Sequence, residues 1–196
     1  LITAISKEYK NNLNTYSIGF ETINKEEGDE FYYSDLVAND LKTLHEKYSI
    51  TSLDLLNNLD DVIMSMSEPM FSQDSSAFYL LAQNVSKSAK VVLSGQGADE
   101  VFGGYFWYEK IMKEKQLSNI DTLTKYYFDR SYENYKKIVH SNYISENYVS
   151  NDIESRLKQM DQSLSILDKV FRLELSMFII DDPVKRVDNM TMSHSL

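Results

Sequence analysis

Ser94-Gly95-Gln96-Gly97-Ala98-Asp99-Glu100 packs more potential chemistry into a short stretch than any other part of this sequence. It follows the apolar run Val91-Val92-Leu93 and leads into Val101-Phe102-Gly103-Gly104-Tyr105. A buried strand is therefore expected to pass through a G-x-G turn into an acidic pair that opens a helix. Glycines at 95 and 97 let backbone N–H groups converge on an anionic group, because no Cβ blocks the approach. Asp99 is a hard oxygen donor suited to Mg²⁺, an ion that normally comes with phosphates. Asp99 and Glu100 also have a plain electrostatic explanation, negative charge placed at a helix N-terminus. The motif alone leaves both readings open.

Three further segments carry weaker signals. Ile18-Gly19-Phe20 ends a β-rich run, where a glycine lets a flat ring such as a nucleotide base lie against the backbone, or merely relieves crowding. Asp74-Ser75-Ser76 offers polar groups to a ligand, or a cap to the helix that follows. Lys185 and Asp188, three residues apart, would share a helix face and flank a charged ligand, although a solvated ion pair explains the spacing as well. His45, His140 and His194 have no partner at helical spacing, so no metal site is expected from them. Neither G-x-S-x-G nor a Walker-type loop is present.

The elements that must position these residues alternate in type. Leu1, Ile5 and Tyr9 step by four and predict a helix over residues 1–10. Thr15–Phe20 reads as a buried strand. A helix from about Asp29 carries Tyr33, Val37, Leu41 and Leu44, and residues 44–50 follow as a second strand. The next helix is expected to begin at Ser52 as N-cap, to carry Leu55, Leu59, Val62 and Met66, and to end at Pro69. Residues 71–76 read as polar loop, Phe78–Ala89 as helix and Val91–Leu93 as a third strand. Residues 105–180 are tyrosine-rich helical stretches, in which the tyrosines are expected to pack helices rather than stack bases. The pattern predicts an α/β parallel sheet followed by a helical layer, dividing near residues 1–104 and 105–196.

Composition mostly excludes. The chain has 196 residues, 20 basic and 30 acidic, for a formal net charge of −10. Such a charge opposes a nucleic-acid partner. No cysteine is present, which removes disulfides, thiolate metal sites and thiol nucleophiles and suits a reducing, cytoplasmic setting. No apolar run approaches the roughly 20 residues of a membrane span. Four of only six glycines fall between residues 95 and 104, where geometry must require them. The first residue is Leu1 and the last segment, residues 191–196, stops within a pattern, so the chain reads as a piece of something longer.

Residues 94–105 closely resemble the signature of the synthetase domain of glutamine-hydrolysing asparagine synthetases and their amidotransferase relatives. Ser17-Ile18-Gly19-Phe20, Glu68-Pro69 with Asp74-Ser75-Ser76, and Lys185-Arg186-Val187-Asp188-Asn189-Met190-Thr191-Met192 resemble further family segments in collinear order. The resemblance implies a PP-loop ATP pyrophosphatase fold of the adenine nucleotide alpha hydrolase-like type. It also implies ATP and Mg²⁺, activation of a carboxylate (usually that of aspartate) as an acyl-adenylate, and ammonia delivered by a glutaminase domain. By correspondence Asp99 would hold Mg²⁺, Ser94, Gly95, Gln96 and Gly97 would line the nucleotide, and Ile18 and Gly19 would contact adenine. The family's S-G-G-x-D-S loop, with its central strand, is absent and would lie before Leu1; its downstream lysine would lie beyond Leu196. Gln96 stands where well-known asparagine synthetases carry Glu. A glutamine cannot titrate, so it hydrogen-bonds without acting as a base. The acceptor is therefore open between aspartate and a peptide or cell-envelope carboxylate, and a non-catalytic nucleotide-binding homologue is a further alternative.

Overall fold

The computed structural model describes residues 1–21, 31–69 and 73–196. Two compact units emerge: Leu1–Gln96 with Asp182–Leu196, and Gly97–Asp181.

The first unit is α/β. Its opening helix, α1 (Ile2–Tyr9), leads into β1 (Asn14–Phe20), and β1 pairs in parallel with β2 (Leu44–Ile50), from Asn14 opposite Leu44 to Phe20 opposite Ile50. Parallel neighbours need a crossover connection, and α2 (Phe31–Leu41) lies within it. The expected helix start at Asp29 falls outside the described residues. After β2 comes α3 (Ser52–Met64), capped by Thr51 rather than Ser52. Thr51 Oγ1 accepts from the Asp54 N–H at 3.1 Å while the Asp54 carboxylate accepts from the Thr51 N–H at 2.9 Å, a reciprocal capping box. The Ser52 N–H is instead taken by Glu21 Oε1, at 2.8 Å. The helix ends at Met64, short of Met66.

α4 (Gln73–Val85) begins earlier than the sequence suggested, so residues 73–76 are its first turn rather than loop; Phe71 and Ser72 are outside the described residues. It stops at Val85, before Ala89. α11 (Lys185–Met192) packs against it. The core joins Ile50, Val62, Tyr79, Leu80 and Met190, with Ile18, Phe20, Leu55 and Phe78 against them. The Met190 side chain is wholly buried, which is why the far end of the chain folds back onto the sheet unit.

The expected third strand does not form. Residues 91–95 carry no ladder, and Val91 and Leu93 are 82% and 73% exposed. A strand is defined by a partner in register, and no described strand stands beside this segment. Among the described residues β1 pairs with β2 alone, so its second edge has no ladder partner.

The second unit is helical, and no strand appears in it. α5 (Ala98–Phe102), α6 (Phe106–Lys113), α7 (Asn119–Tyr126), α8 (Tyr132–Ile138), α9 (Tyr148–Gln159) and α10 (Ile166–Leu173) follow in order. Side-chain caps mark the boundaries: Ser118, Ser131, Asn147 and Ser165 each accept from the backbone N–H three residues on. Ile111, Leu123 and Val170 are fully buried and form the core with Tyr108, Ile153, Leu157 and Leu173. Tyr105, Tyr108, Tyr126 and Tyr127 pack helices here, as expected, whereas Tyr135, Tyr143 and Tyr148 are exposed. Beyond α10 the backbone widens into π-helical turns at Glu174–Phe178 and Ile180–Val184. Among the described residues no helix is long and apolar enough to cross a membrane.

Candidate functional site

The signature loop is built from two kinds of turn. Ser94 Oγ accepts from the Gln96 N–H at 3.2 Å, so the serine hydroxyl shapes the bend that presents the next backbone amides. Gly97 has φ +88°, and it is the N-cap of α5; Gly103, with φ +71°, ends that helix. Both positions are in the left-handed region that favours glycine. Gly95 needs no such conformation: a Cβ there would meet nothing within 4 Å, which leaves its backbone face open to a ligand.

The acidic pair divides in two. Asp99 is exposed, and its carboxylate folds over Gly104, whose backbone N–H donates to the Asp99 carbonyl at 2.9 Å. A Cβ at 104 would overlap Asp99 Oδ1 and come within 3.2 Å of its Cα. Glu100 turns inward, 2% exposed, and accepts from the Tyr105 hydroxyl at 2.7 Å. Burial and this carboxylate together push the Tyr105 phenol up from its ordinary value. Two adjacent carboxylates thus have opposite assignments, one to solvent and one to the packing.

In the sheet unit, Ser94, Gln96 and Asp188 line one cavity of ≈ 470 Å³, with Lys90 and Thr191. A hydroxyl, an amide, a carboxylate and an ammonium group on one open wall can bind a polar, charged ligand. The third candidate segment therefore contributes Asp188 to this wall. Lys185 points elsewhere, donating to Glu68 Oε1 at 2.7 Å, so the two do not act as the expected pair. Lys90 carried no motif signal beyond being a cation placed just before an apolar run.

Ile18 and Gly19 sit in the β1 ladder opposite Tyr48 and Ser49, and Gly19 is buried. Asp74 is neither a cap ahead of a helix nor loop: it lies in the first turn of α4 and accepts from Arg186 Nη1 at 3.0 Å. The same guanidinium donates from Nη2 to Asp182 at 2.8 Å. Motif reading passed over Arg186, which is 8% exposed and holds α11 to α4. Ser75 Oγ is fully buried and has no hydrogen-bond partner. Among the described residues no group of three or more His, Cys, Asp or Glu could hold a metal ion.

The two-stranded parallel sheet with helices packed on it makes the first unit an α/β one. The family model for asparagine synthase matches residues 1–196, and the chain belongs to that family. It is similar to asparagine synthetase [glutamine-hydrolyzing] 1 of Bacillus subtilis, 29% identical over 119 residues, 61% of this chain and 18% of the relative. Asparagine synthetase B of Escherichia coli is 36% identical over 84 residues, covering 41% and 15%. A putative asparagine synthetase of Methanocaldococcus jannaschii is 37% identical over 93 residues, covering 47% and 17%. The chain matches about a fifth or less of the length of these curated relatives.

Proposed function

We propose that this chain is the nucleotide-site segment of an ATP-dependent amide ligase that makes asparagine. The full-length protein activates the carboxylate of aspartate as its acyl-adenylate, releasing pyrophosphate, and glutamine-derived ammonia displaces AMP. The observation that carries the reading is the family match along the whole chain with the 94–105 loop intact. Chemistry supports it: a carboxylate must meet a triphosphate, and positive or dipolar groups must neutralise the charge between them. The open backbone at Gly95 and the amide beyond the Ser94 bend serve the phosphates, Gln96 hydrogen-bonds, and Ile18 with Gly19 offers the adenine a flat strand end. Lys90 and Asp188 orient the charged acceptor.

Asp99 fits Mg²⁺ in one specific manner. A single exposed carboxylate, with no metal-holding acidic cluster among the described residues, suits an ion carried by the triphosphate, which keeps most of its ligands as phosphate and water, rather than an all-protein cage. When bound there, Mg²⁺ supplies charge neutralisation on the departing pyrophosphate.

The PP-loop fold is part of this proposal. Asn14–Tyr16 of β1 and the segment Val91–Gly95 line one cavity of ≈ 930 Å³, together with residues of α1 and α4. A strand from elsewhere in the full-length protein would fill that slot and give Val91–Leu93 the partner it lacks. We place the enzyme in the cytoplasm.

The test is pyrophosphate exchange into ATP by the full-length protein, with aspartate and with other carboxylates. Exchange that requires aspartate is expected; none with any acceptor refutes the ligase reading. A second reading, favoured by the non-titrating Gln96 on the cavity wall, takes a peptide or cell-envelope carboxylate, and exchange with such an acceptor alone would select it. Asp99→Asn is expected to abolish exchange while the protein stays folded, and unchanged exchange would remove Asp99 from the metal's ligands.

A further inference from the structure

The helical unit contains a carboxyl group that the ligase reading does not use. Glu174, in the π-helical turn after α10, is 0% exposed. Its Oε1 accepts from the Tyr108 hydroxyl at 3.0 Å, but its Oε2 is buried without any hydrogen-bond partner. The titratable groups that face it are Glu100 from α5, Tyr108 from α6 and Tyr127 at the end of α7. None can supply positive charge. The buried cation of α10, Lys169, gives its Nζ to Gln162 Oε1 at 3.1 Å, and Glu174 has no ion-pair partner among the described residues. Tyr105, the remaining phenol nearby, is engaged with Glu100.

An unpaired carboxylate in such a place violates the rule that buried charge must be matched. Its second oxygen makes no hydrogen bond, only uncharged hydroxyls of Tyr108 and Tyr127 face it, and Glu100, itself a buried carboxyl on α5, would repel it. A neutral carboxyl carries no charge to be matched and is not repelled by Glu100, and burying it costs far less than burying the anion. We propose that Glu174 is a proton-holding latch of the helical unit: its carboxyl is neutral while α5, α6 and α10 pack around it, and loss of the proton loosens that packing. Burial is the main cause of the upward displacement of its pKa, to about 7, with repulsion from Glu100 adding to it and the Tyr108 and Tyr127 hydroxyls opposing it. The group therefore titrates in the range where cells vary in pH.

The sign follows from linkage. A carboxyl raised above its unfolded value binds more protons folded than unfolded, so stability is greatest in acid and falls as pH rises toward the folded pKa. The folding equilibrium constant of this unit is expected to drop about a hundredfold between about pH 4.5 and about pH 7 through this group alone. Trp107, the single tryptophan, packs against the same core and reports on it.

The test compares the protein with Glu174→Gln, which mimics the neutral acid, in urea unfolding followed by Trp107 fluorescence across this range. The difference in stability between the two proteins should vary with pH, the variant being the less pH-sensitive; parallel profiles overturn the proposal. Should the variant not fold, infrared difference spectra of the unaltered protein between about pH 6 and about pH 8 decide. A protonated-carboxyl stretch lost together with a change in Trp107 fluorescence supports the latch. Absence of that stretch overturns it.

Discussion

Arg186→Met separates charge from packing at the joint between α11 and α4. The substitution keeps most of the apolar stem and removes the charge-assisted hydrogen bonds to Asp74 at 3.0 Å and to Asp182 at 2.8 Å. Fully buried, such bonds would each contribute about 1.5–3 kcal/mol. The two carboxylates are not buried, however: their side chains are 54% and 38% exposed, against 10% for the arginine. Both rehydrate when the guanidinium leaves, and desolvation of the arginine itself is relieved. Each bond then counts at the exposed-pair scale of roughly 0.2–1 kcal/mol, so Arg186→Met is expected to cost about 1–2 kcal/mol. Arg186→Ala also removes the stem and should cost about 2–3 kcal/mol. Asp74→Asn, with Asp182 still in place, should cost about 0.5 kcal/mol. Urea unfolding near neutral pH, followed by far-UV ellipticity, measures all three. A cost of about 4 kcal/mol or more for Arg186→Met would refute the reasoning, since it would mean a desolvated network rather than a half-solvated clamp. Equal costs for Arg186→Met and Asp74→Asn would refute the sharing between two carboxylates.

Other substitutions test the signature loop and the helical core. Gly104→Ala must displace the Asp99 carboxylate, and is expected to destabilise by about 1–3 kcal/mol in thermal unfolding, whereas Gly95→Ala, with open space around it, should lie within about 0.5 kcal/mol of the starting protein. Ile111→Ala, at 0% exposure in the helical core, should cost about 2–5 kcal/mol by chemical denaturation, and a loss under about 1 kcal/mol would show that the core collapses around the gap.

Local chemistry was legible in the sequence where a signal is carried by neighbours along the chain. Asn14–Phe20 and Leu44–Ile50 are strands because their β-rich runs find each other across a helix, and the caps at Ser118 and Ser165 follow from a serine three residues before an aspartate. Val91–Leu93 was misread for a physical reason: its apolar composition is that of a buried strand, but ladder formation depends on a partner that composition does not reveal. Thr51 and Ser52 are equally good caps by type, and a distant residue, Glu21, decided between them. The reach of Arg186 across 112 residues to Asp74 lies outside any window of local pattern. So does the opposite fate of Asp99 and Glu100, which depends on where Tyr105 stands.

The open edge of β1 bears on how this chain behaves in solution. The edge of β1 without a ladder partner among the described residues, and the exposed apolar side chains of Val91 and Leu93, form templates for any extended segment that drifts past. Produced on its own, the chain is expected to recruit strands from its neighbours and to self-associate as concentration rises, despite a net charge of −10 that opposes such contact. Screening by salt should shift that balance toward association, so low ionic strength is the condition under which single molecules persist.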